Sequence, residues 1–336
     1  MKKYSFITLL SIFMLILTAC SEGNPSTTST TSASAKKESG SDTVLVTEAF
    51  HSLLYLPLYV GYHEGVFKKN DIEISSIRSA GTGPTALTSV LSGEAQFSVH
   101  GPEHVGFAKE KGGEANAVSA VANSAPVWVL GNKDVKFDSP ADLKGKRIVV
   151  GLAPGTSNTM LKRLLADNGL DYQKDVKVTE VQNGSELGPV LAGEADIAVA
   201  YQPQVEQGLS EGLKILHDFT KDYPEYAFST INTSQKIINE NPHLVRRFVK
   251  SMNESFALIH EHPEIAKAVA KKEFPELDEA VVDQAVQRMI DSKVYRENVE
   301  ITEEAFKNAI DMQKFVGNIK NDMKYKDIVN AEFVPK

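Results

Sequence analysis

One stretch of the chain occurs twice, one hundred residues apart. Leu87–Gly101 reads LTSVLSGEAQFSVHG, and Leu187–Tyr201 reads LGPVLAGEADIAVAY. Each copy begins with apolar residues at i, i+3 and i+4, which is the spacing of one helix face. Gly93 or Gly193 follows, at a place where a left-handed residue ends a helix. A short apolar strand and a loop come next, so the repeat predicts two similar α/β lobes.

The loops after the repeated strands are the first candidates for a binding site, because ligands of open α/β sheets bind beyond the carboxyl ends of the strands. These loops are His100–His104 and Tyr201–Pro203. Two loops of small residues, Ala80–Pro84 and Ala153–Asn158, each precede a predicted helix, the second one over Thr159–Asn168. Free N–H groups at a helix start attract polar oxygens. We expect these loops to face a cleft between the lobes.

The remaining segments predict how the chain passes between the lobes. Ala115–Leu130 is a long apolar run, predicted as one strand that crosses between lobes, and its Trp128 is predicted to pack in the core. The chain is predicted to return near Tyr226–Ile231, and its pattern is helical from Ser234 onward. The predicted organisation is lobe 1 over residues 43–125, lobe 2 over residues 126–226, and the rest of lobe 1 with C-terminal helices over residues 227–336.

The amino terminus predicts an exported lipoprotein. Two lysines precede a mostly apolar run, Phe6–Leu17, which is short for a bilayer span and typical of a secretory signal peptide. The sequence LTAC at residues 17–20 resembles the bacterial lipobox, in which the cysteine is lipidated. The next segment is rich in Ser, Thr, Gly, Ala and Lys, as flexible tethers are. We expect a signal peptide at residues 1–19, a lipid anchor on Cys20 and a tether over residues 20–42. The protein would then face the extracytoplasmic side of the cell membrane.

Composition argues against several functions. Cys20 is the only cysteine, so no disulfide can form within the chain and the mature body has no cysteine-based metal or thiolate chemistry. With 36 Lys and Arg against 44 Asp and Glu, the chain is acidic, which argues against nucleic acid as a partner. No G-x-S-x-G or H-E-x-x-H motif occurs, and His260 and His262 are too close in sequence to share a helix face. We therefore expect a binding protein rather than an enzyme, with no cofactor and no metal.

Four further segments carry a resemblance to a known family. They are LPLYVGYHEGVFKKNDIEI (Leu56–Ile74), SAGTGPTALTSVLSGEAQFSVHGP (Ser79–Pro102), DSPADLKGKRIVVG (Asp138–Gly151) and ENPHLVRRFVKSMNESFALIHEHPE (Glu240–Glu264). With the lipobox, the chain resembles the substrate-binding lipoproteins of ABC importers for aliphatic sulfonates, taurine, nitrate and the pyrimidine precursor of thiamine. Some relatives of this fold are enzymes that make the thiamine pyrimidine with iron and a cysteine-rich motif, which the mature body lacks.

The resemblance implies an α/β type II periplasmic-binding-protein fold. Two α/β lobes are joined by a hinge of two crossing strands and close over a ligand in the cleft between them. The closed form would then meet a membrane permease and its ATPase subunits. Carried over to this chain, the resemblance implies the following ligand-binding candidates: Phe50, His51, Ser52, Gly81, Thr82, Gly83, Gly101, Glu103, His104, Ser124, Thr156, Ser157, Asn158, Tyr201 and Gln202.

The identity of the ligand stays open between several classes. A sulfonate or nitrate would be held by backbone N–H groups and hydroxyls such as those of Thr82 and Ser157, and no arginine lies in the candidate loops to clamp a carboxylate or phosphate. Glu103 would repel a bare anion but would accept a hydrogen bond from the amine of taurine or of an aminopyrimidine, on which Tyr201 could stack. Alternatively, Glu103 is a solvated acid in a first helical turn. An aliphatic sulfonate or taurine is the first expectation, and an aminopyrimidine precursor of thiamine is the alternative.

Overall fold

The computed structural model describes residues 41–336, so the predicted signal peptide, the lipid anchor on Cys20 and the tether up to residue 40 lie outside the described residues. Ten strands of residues 41–336 form two five-stranded sheets. The strands are β1 (Asp42–Glu48), β2 (Ile72–Ser79), β3 (Phe97–His100), β4 (Ala115–Ala122), β5 (Trp128–Gly131), β6 (Arg147–Gly151), β7 (Lys177–Val181), β8 (Ile197–Ala200), β9 (Lys214–Asp218) and β10 (Ser229–Ser234).

The two sheets have the same topology. The order of strands is β2-β1-β3-β10-β4 in the first sheet and β7-β6-β8-β5-β9 in the second. In each sheet three parallel strands are followed by one that runs antiparallel to both neighbours, β10 in the first and β5 in the second. Two α/β lobes of equal topology confirm the predicted fold class, whereas the exact lobe boundaries stay predictions.

Helices pack against both sheets. They are α1 (Leu56–His63), α2 (Val66–Lys69), α3 (Gly83–Leu91), α4 (Glu103–Lys109), α5 (Thr156–Asp167), α6 (Leu187–Leu191), α7 (Gln204–Ser210), α8 (Phe219–Asp222), α9 (Gln235–Glu240), α10 (Pro242–Glu261), α11 (Pro263–Glu273), α12 (Glu279–Asp291), α13 (Glu303–Phe315) and α14 (Tyr325–Ile328). In the described part of the chain, no helix combines the length and the apolar character that crossing a bilayer requires.

The repeated stretch forms equivalent structure in the two lobes. Helix α3 and strand β3 are one copy, and helix α6 and strand β8 are the other. Gly93 and Gly193 end the two helices with φ angles of 83° and 75°, a conformation that favours glycine because other side chains are strained there. Buried, half-buried and exposed positions follow one another in the same order over residues 84–100 and 184–200. The predicted internal repeat is therefore a repeat of packing as well as of sequence.

The run Ala115–Leu130 is not the single strand that we predicted. Strand β4 ends at Ala122 in the first sheet, and β5 begins at Trp128 in the second. Pro126, in the segment between them, has no N–H group and cannot donate a ladder hydrogen bond. The chain therefore leaves one sheet, crosses, and joins the other as a new strand.

The two crossings between the lobes lie side by side. The return crossing connects β9 to β10. The backbone N–H of Ala125 donates to the carbonyl oxygen of Tyr223 at 3.2 Å, and the N–H of Tyr226 donates to the carbonyl oxygen of Asn123 at 3.0 Å. These bonds tie the crossings into one short connection, which is the part of the fold about which the lobes can rotate.

Helix α10 supplies much of the core of the first lobe. Its Phe248 ring stacks on Phe97 with centroids 3.9 Å apart and meets Phe67 at 4.9 Å. All three side chains are buried. These three rings form one aromatic cluster that holds the first sheet and its helices together.

Trp128 of the second sheet is also fully buried, so its predicted place in the core is confirmed.

Helix α5 begins three residues before the predicted start at Thr159. Its first residue is Thr156, with Gly155 as the N-cap. Thr, Ser and Asn side chains compete with helix hydrogen bonds, and for this reason the segment looks like a loop in the sequence. In the structure the N–H of Ser157 is satisfied by the Tyr201 hydroxyl at 2.9 Å, a contact between residues far apart in sequence.

Candidate functional site

A cavity of about 100 Å³ lies between the two lobes, beyond the carboxyl ends of the parallel strands of both sheets. The sequence candidates that line it are Phe50, Gly81, Thr82, Gly83, Gly101, Glu103, His104, Thr156 and Tyr201. Its other lining residues are Ala49, Tyr55, Pro84, His100, Leu152, Ala153, Pro154, Gly155, Gln182, Asn183, Phe228 and Ser229. Both lobes thus contribute strand-end loops to one cavity, which is the usual position of a ligand in open α/β sheets.

Glycines in the cavity wall leave room for the side chains of α4. A Cβ atom on Gly83 would lie 2.2 Å from Cε1 of His104, and one on Gly101 would lie 2.1 Å from Oε2 of Glu103. Neither position could carry a side chain without displacing its neighbour. These two glycines therefore let Glu103 and His104 fold back against the loops that enclose the cavity.

Glu103 is the central ionisable group of the cavity. Its side chain is 1% exposed, and its Oε1 accepts a hydrogen bond from Thr156 Oγ1 at 3.3 Å. Its Oε2 has no hydrogen-bond partner within residues 41–336. Burial raises the pKa of Glu103 to about 7, and the bond from Thr156 only partly opposes this. The expectation of a solvated first-turn acid is therefore wrong for this side chain.

The two histidines beside Glu103 are neutral. Burial lowers the pKa of His100 to about 4, and burial, with the neighbouring His100 ring as a lesser cause, holds the pKa of His104 well below its ordinary value. The Nδ1 atom of His104 is buried and has no partner in the described part of the chain. Among the described residues that line the cavity there is no lysine or arginine. No cation in the wall thus neutralises the Glu103 carboxylate.

Aromatic rings form one side of the cavity. The Phe50 ring lies 5.5 Å from the Tyr201 ring and 5.9 Å from the Tyr55 ring, and Phe228 lies 5.7 Å from Tyr201. Tyr55 and Tyr201 are buried. A planar ring can be held against such a wall by stacking and by burial of its apolar faces.

Several sequence candidates lie outside the cavity wall. His51 contacts Glu48 at 3.2 Å and the carbonyl oxygen of Glu273 at 3.1 Å, and the hydrogen bonds and charges of these residues outweigh burial and raise its pKa. Asn158 donates to the carbonyl oxygen of Gly151 at 3.2 Å. Ser124 is buried in the crossing segment. None of these three residues lines the cavity, so their part in ligand binding stays a prediction.

Side-chain contacts join the lobes across the cavity. They are the hydrogen bonds from Thr156 Oγ1 to Glu103 Oε1 at 3.3 Å and from Ser52 Oγ to the carbonyl oxygen of Gln202 at 3.0 Å, and the ion pair of Arg288 with Glu206. Each contact has one partner in each lobe. These contacts join the two lobes in this structure.

The second lobe contains a buried carboxyl that the sequence did not single out. Glu186 is fully buried, and burial raises the pKa of its carboxyl to about 7. Its Oε2 accepts from the N–H of Gly184 at 2.7 Å, and its Oε1 is unpartnered in the part of the chain that the structure describes. Asn183, the residue directly before Gly184, lines the cavity. Glu186 stands in a polar loop, where most acids are exposed, so no sequence signal marked it.

We predict that the stability of the ligand-free protein falls as the pH rises from about 4.5 to about 7. Glu103 and Glu186 bind their protons more tightly in the folded than in the unfolded state, so ionisation opposes folding. Above pH 7, ionisation of each carboxyl would lower the free energy of unfolding by roughly 3 kcal/mol, because a shift of one pKa unit corresponds to about 1.4 kcal/mol. Thermal unfolding of Glu103→Gln at pH 5 and pH 8 should show a flatter pH profile than the unchanged chain. Equal profiles would contradict the raised pKa.

Two α/β lobes of equal topology that close on a shared cavity define a periplasmic-binding-protein fold. Residues 54–266 match the family model described as NMT1/THI5 like. The chain belongs to the NMT1/THI5-like family, which confirms the resemblance found in the sequence.

Comparisons with individual proteins agree with this fold. The solved structure of the periplasmic aliphatic sulphonate binding protein SsuA from Escherichia coli superposes with a TM-score of 0.71 at 16% identity, over 86% of this chain and 97% of that chain. Riboflavin-binding protein RibY of Chloroflexus aurantiacus is 24% identical over 303 residues, which is 86% of this chain and 83% of RibY. YtlA of Bacillus subtilis is 21% identical over 310 residues, 90% of this chain and 92% of YtlA.

Proposed function

We propose that this chain is an extracytoplasmic solute-binding protein that captures a small organic molecule between its lobes and delivers it to the permease of an ABC importer. Membership of the NMT1/THI5-like family and the fold shared with SsuA support this function. The observation that carries it is the cavity between the lobes, because its wall combines aromatic rings with buried polar atoms that have no partner in residues 41–336. Such a combination is typical of ligand sites. Anchoring through a lipid on Cys20 is part of the proposal.

The charge of the cavity favours a ligand that presents an amine or a ring N–H group to Glu103. A bare sulfonate or nitrate would be repelled by the ionised form of the buried Glu103 carboxyl, in a wall without lysine or arginine among the described residues. Burying like charges together without a cation is costly. Taurine and an aminopyrimidine each offer a nitrogen that can donate to Oε2 of Glu103. The structure therefore supports these two candidates better than an unsubstituted aliphatic sulfonate.

The aromatic wall favours the aminopyrimidine of these two candidates. Phe50, Tyr55, Tyr201 and Phe228 present rings to the cavity, and a flat heterocycle buries more area against them than taurine does. The cavity of about 100 Å³ is small beside typical ligand pockets of roughly 300–1,000 Å³. A compact, single-ring ligand fits this size better than a flavin would.

A thermal-shift screen with matched pairs tests the proposal. The pairs are taurine with ethanesulfonate, and 4-aminopyrimidine with pyrimidine, added to the chain from residue 21 onward. A ligand at about 100 times its Kd stabilises the folded state by about 2.7 kcal/mol, so a specific ligand should raise Tm by several degrees. We expect the amine-bearing member of a pair to raise Tm and its partner to have no effect. No shift with any member, or equal shifts within each pair, would contradict the proposed ligand class.

A further inference from the structure

A row of contacts between the lobes leads away from the cavity wall. In the wall, the Phe50 ring of the first lobe lies 5.5 Å from the Tyr201 ring of the second lobe. Next to these rings along the chain, Ser52 Oγ donates to the carbonyl oxygen of Gln202 at 3.0 Å. Ser52 and Gln202 are both buried, and neither lines the cavity. The lobes are therefore joined beyond the cavity as well as at its wall.

The row ends in an ion pair between two helices. Glu206 lies on α7, and its Oε1 accepts a hydrogen bond from Nε2 of Gln202 at 3.2 Å and pairs with the Arg288 guanidinium on α12. Helix α7 packs on β5 and β9 of the second sheet, whereas α12 packs on α11, which in turn packs on α1 and α10 of the first lobe. The pair thus has one member in each lobe, and neither residue lines the cavity.

The two members of the pair differ in burial. The Glu206 side chain is 3% exposed and the Arg288 side chain is 34% exposed. Within residues 41–336, Arg288 supplies the only lysine or arginine nitrogen that lies within 4.0 Å of the Glu206 carboxylate. A buried carboxylate is strongly destabilised when it loses its cation, but a carboxylate in water needs no cation. The ion pair therefore matters most while the lobes keep Glu206 away from water.

We propose that the Arg288–Glu206 ion pair is a latch, which shifts the equilibrium between joined and separated lobes toward the joined arrangement. When the lobes separate, water replaces Arg288 at the Glu206 carboxylate, so the ion pair stabilises only the joined arrangement. The affinity for a ligand that contacts both lobes is reduced by the fraction of chains that are not joined. The latch thus sets ligand affinity from outside the cavity, without contact with the ligand. This goes beyond the proposed function, and its test needs no ligand.

The substitution Arg288→Met tests the latch in the ligand-free protein, because methionine keeps an unbranched apolar stem and removes the charge. Spin labels on Ser92→Cys and Ala192→Cys, two exposed and equivalent positions of the repeat, report the distance between the lobes by double electron–electron resonance. The chain from residue 21 onward has no cysteine of its own. We expect Arg288→Met to populate a second distance. Because Arg288 is partly exposed, the ratio of separated to joined chains should rise by about tenfold.

Two further variants separate the ion pair from packing of the Arg288 stem. Adding Glu206→Gln to Arg288→Met removes the carboxylate that has lost its partner, so the double variant should recover part of the joined population. Arg147→Met breaks an ion pair within the second lobe, where Nη2 lies 2.7 Å from Oδ1 of Asp196, and should leave the distances unchanged.

Three results would overturn the latch. They are equal distance distributions for Arg288→Met and the unchanged chain, a double variant with as many separated chains as Arg288→Met alone, and a change with Arg147→Met as large as that with Arg288→Met. None of these results depends on the identity of the ligand. The latch can therefore fail while the thermal-shift screen supports the proposed binding function, and the reverse also holds.

Discussion

Glu103→Gln is expected to weaken the binding of an amine-bearing ligand by one to two orders of magnitude. Glutamine keeps the size of the side chain and its contact with Thr156, which lies 3.3 Å from Oε1. It removes the negative charge, and it can place an NH₂ group where Oε2 accepts the hydrogen bond of the ligand. A hydrogen bond to a charged group contributes about 1.5–3 kcal/mol, or about 10- to 150-fold in Kd. Titration calorimetry with 4-aminopyrimidine and with taurine measures the loss.

Two controls accompany Glu103→Gln. Ethanesulfonate should bind the variant as well as or better than it binds the unchanged chain, because the repulsion by the carboxylate is gone. Glu94→Gln replaces an exposed acid in the turn after α3, and it should leave each Kd unchanged. Equal losses for the amines and for ethanesulfonate would mean that Glu103 only supports the structure of the cavity.

Phe248→Ala is expected to destabilise the fold by about 3–5 kcal/mol, the usual cost of removing a buried aromatic ring. The ring is fully buried and stacks on Phe97 with centroids 3.9 Å apart. Its loss leaves a cavity between α10 and the first sheet, which the rigid strands cannot fill. Urea unfolding followed by circular dichroism measures the change in the free energy of unfolding.

Phe315→Ala is the matched control for Phe248→Ala. The Phe315 side chain is 44% exposed at the end of α13, where the Arg163 guanidinium lies over its ring at 4.6 Å. A cation–π contact at an exposed site contributes about 0.5–1 kcal/mol, so Phe315→Ala should lower the free energy of unfolding by no more than this. If the two variants lost comparable amounts of unfolding free energy, the packing of Phe248 would not stabilise the core as we expect.

The fold could be predicted from local rules and from the repeat. Gly93 and Gly193 mark helix ends because only glycine tolerates their φ angles without strain. The apolar face of α10 and its Asn241 cap, whose Oδ1 accepts from Leu244 N at 3.1 Å, are readable in the sequence because both depend on neighbours within one or two turns. The start of α5 was misplaced, since the Tyr201 hydroxyl that satisfies Ser157 comes from a distant segment.

The cavity could be predicted only in part. Strand-end loops were expected to face the cleft, and Glu103 and Tyr201 do line it. The sequence gives no sign of the burial of Glu186 or of the neutral state of His100, because both result from packing between segments distant in sequence. The side chain of His51 turns to Glu48 and away from the cavity for the same reason. Whether a polar loop residue is buried, and whether it is charged, thus depends on tertiary neighbours that the sequence periodicity does not reveal.

The crystal structure of the complex with the tightest-binding amine of the panel tests the central claim most directly. The claim is that a small nitrogen-bearing ligand binds between the lobes and is held by Glu103. We predict a ligand nitrogen within about 3.2 Å of Glu103 Oε2, with residues of both lobes in contact with the ligand. A ligand bound outside the cavity, or one whose nitrogen faces away from Glu103, would contradict the claim.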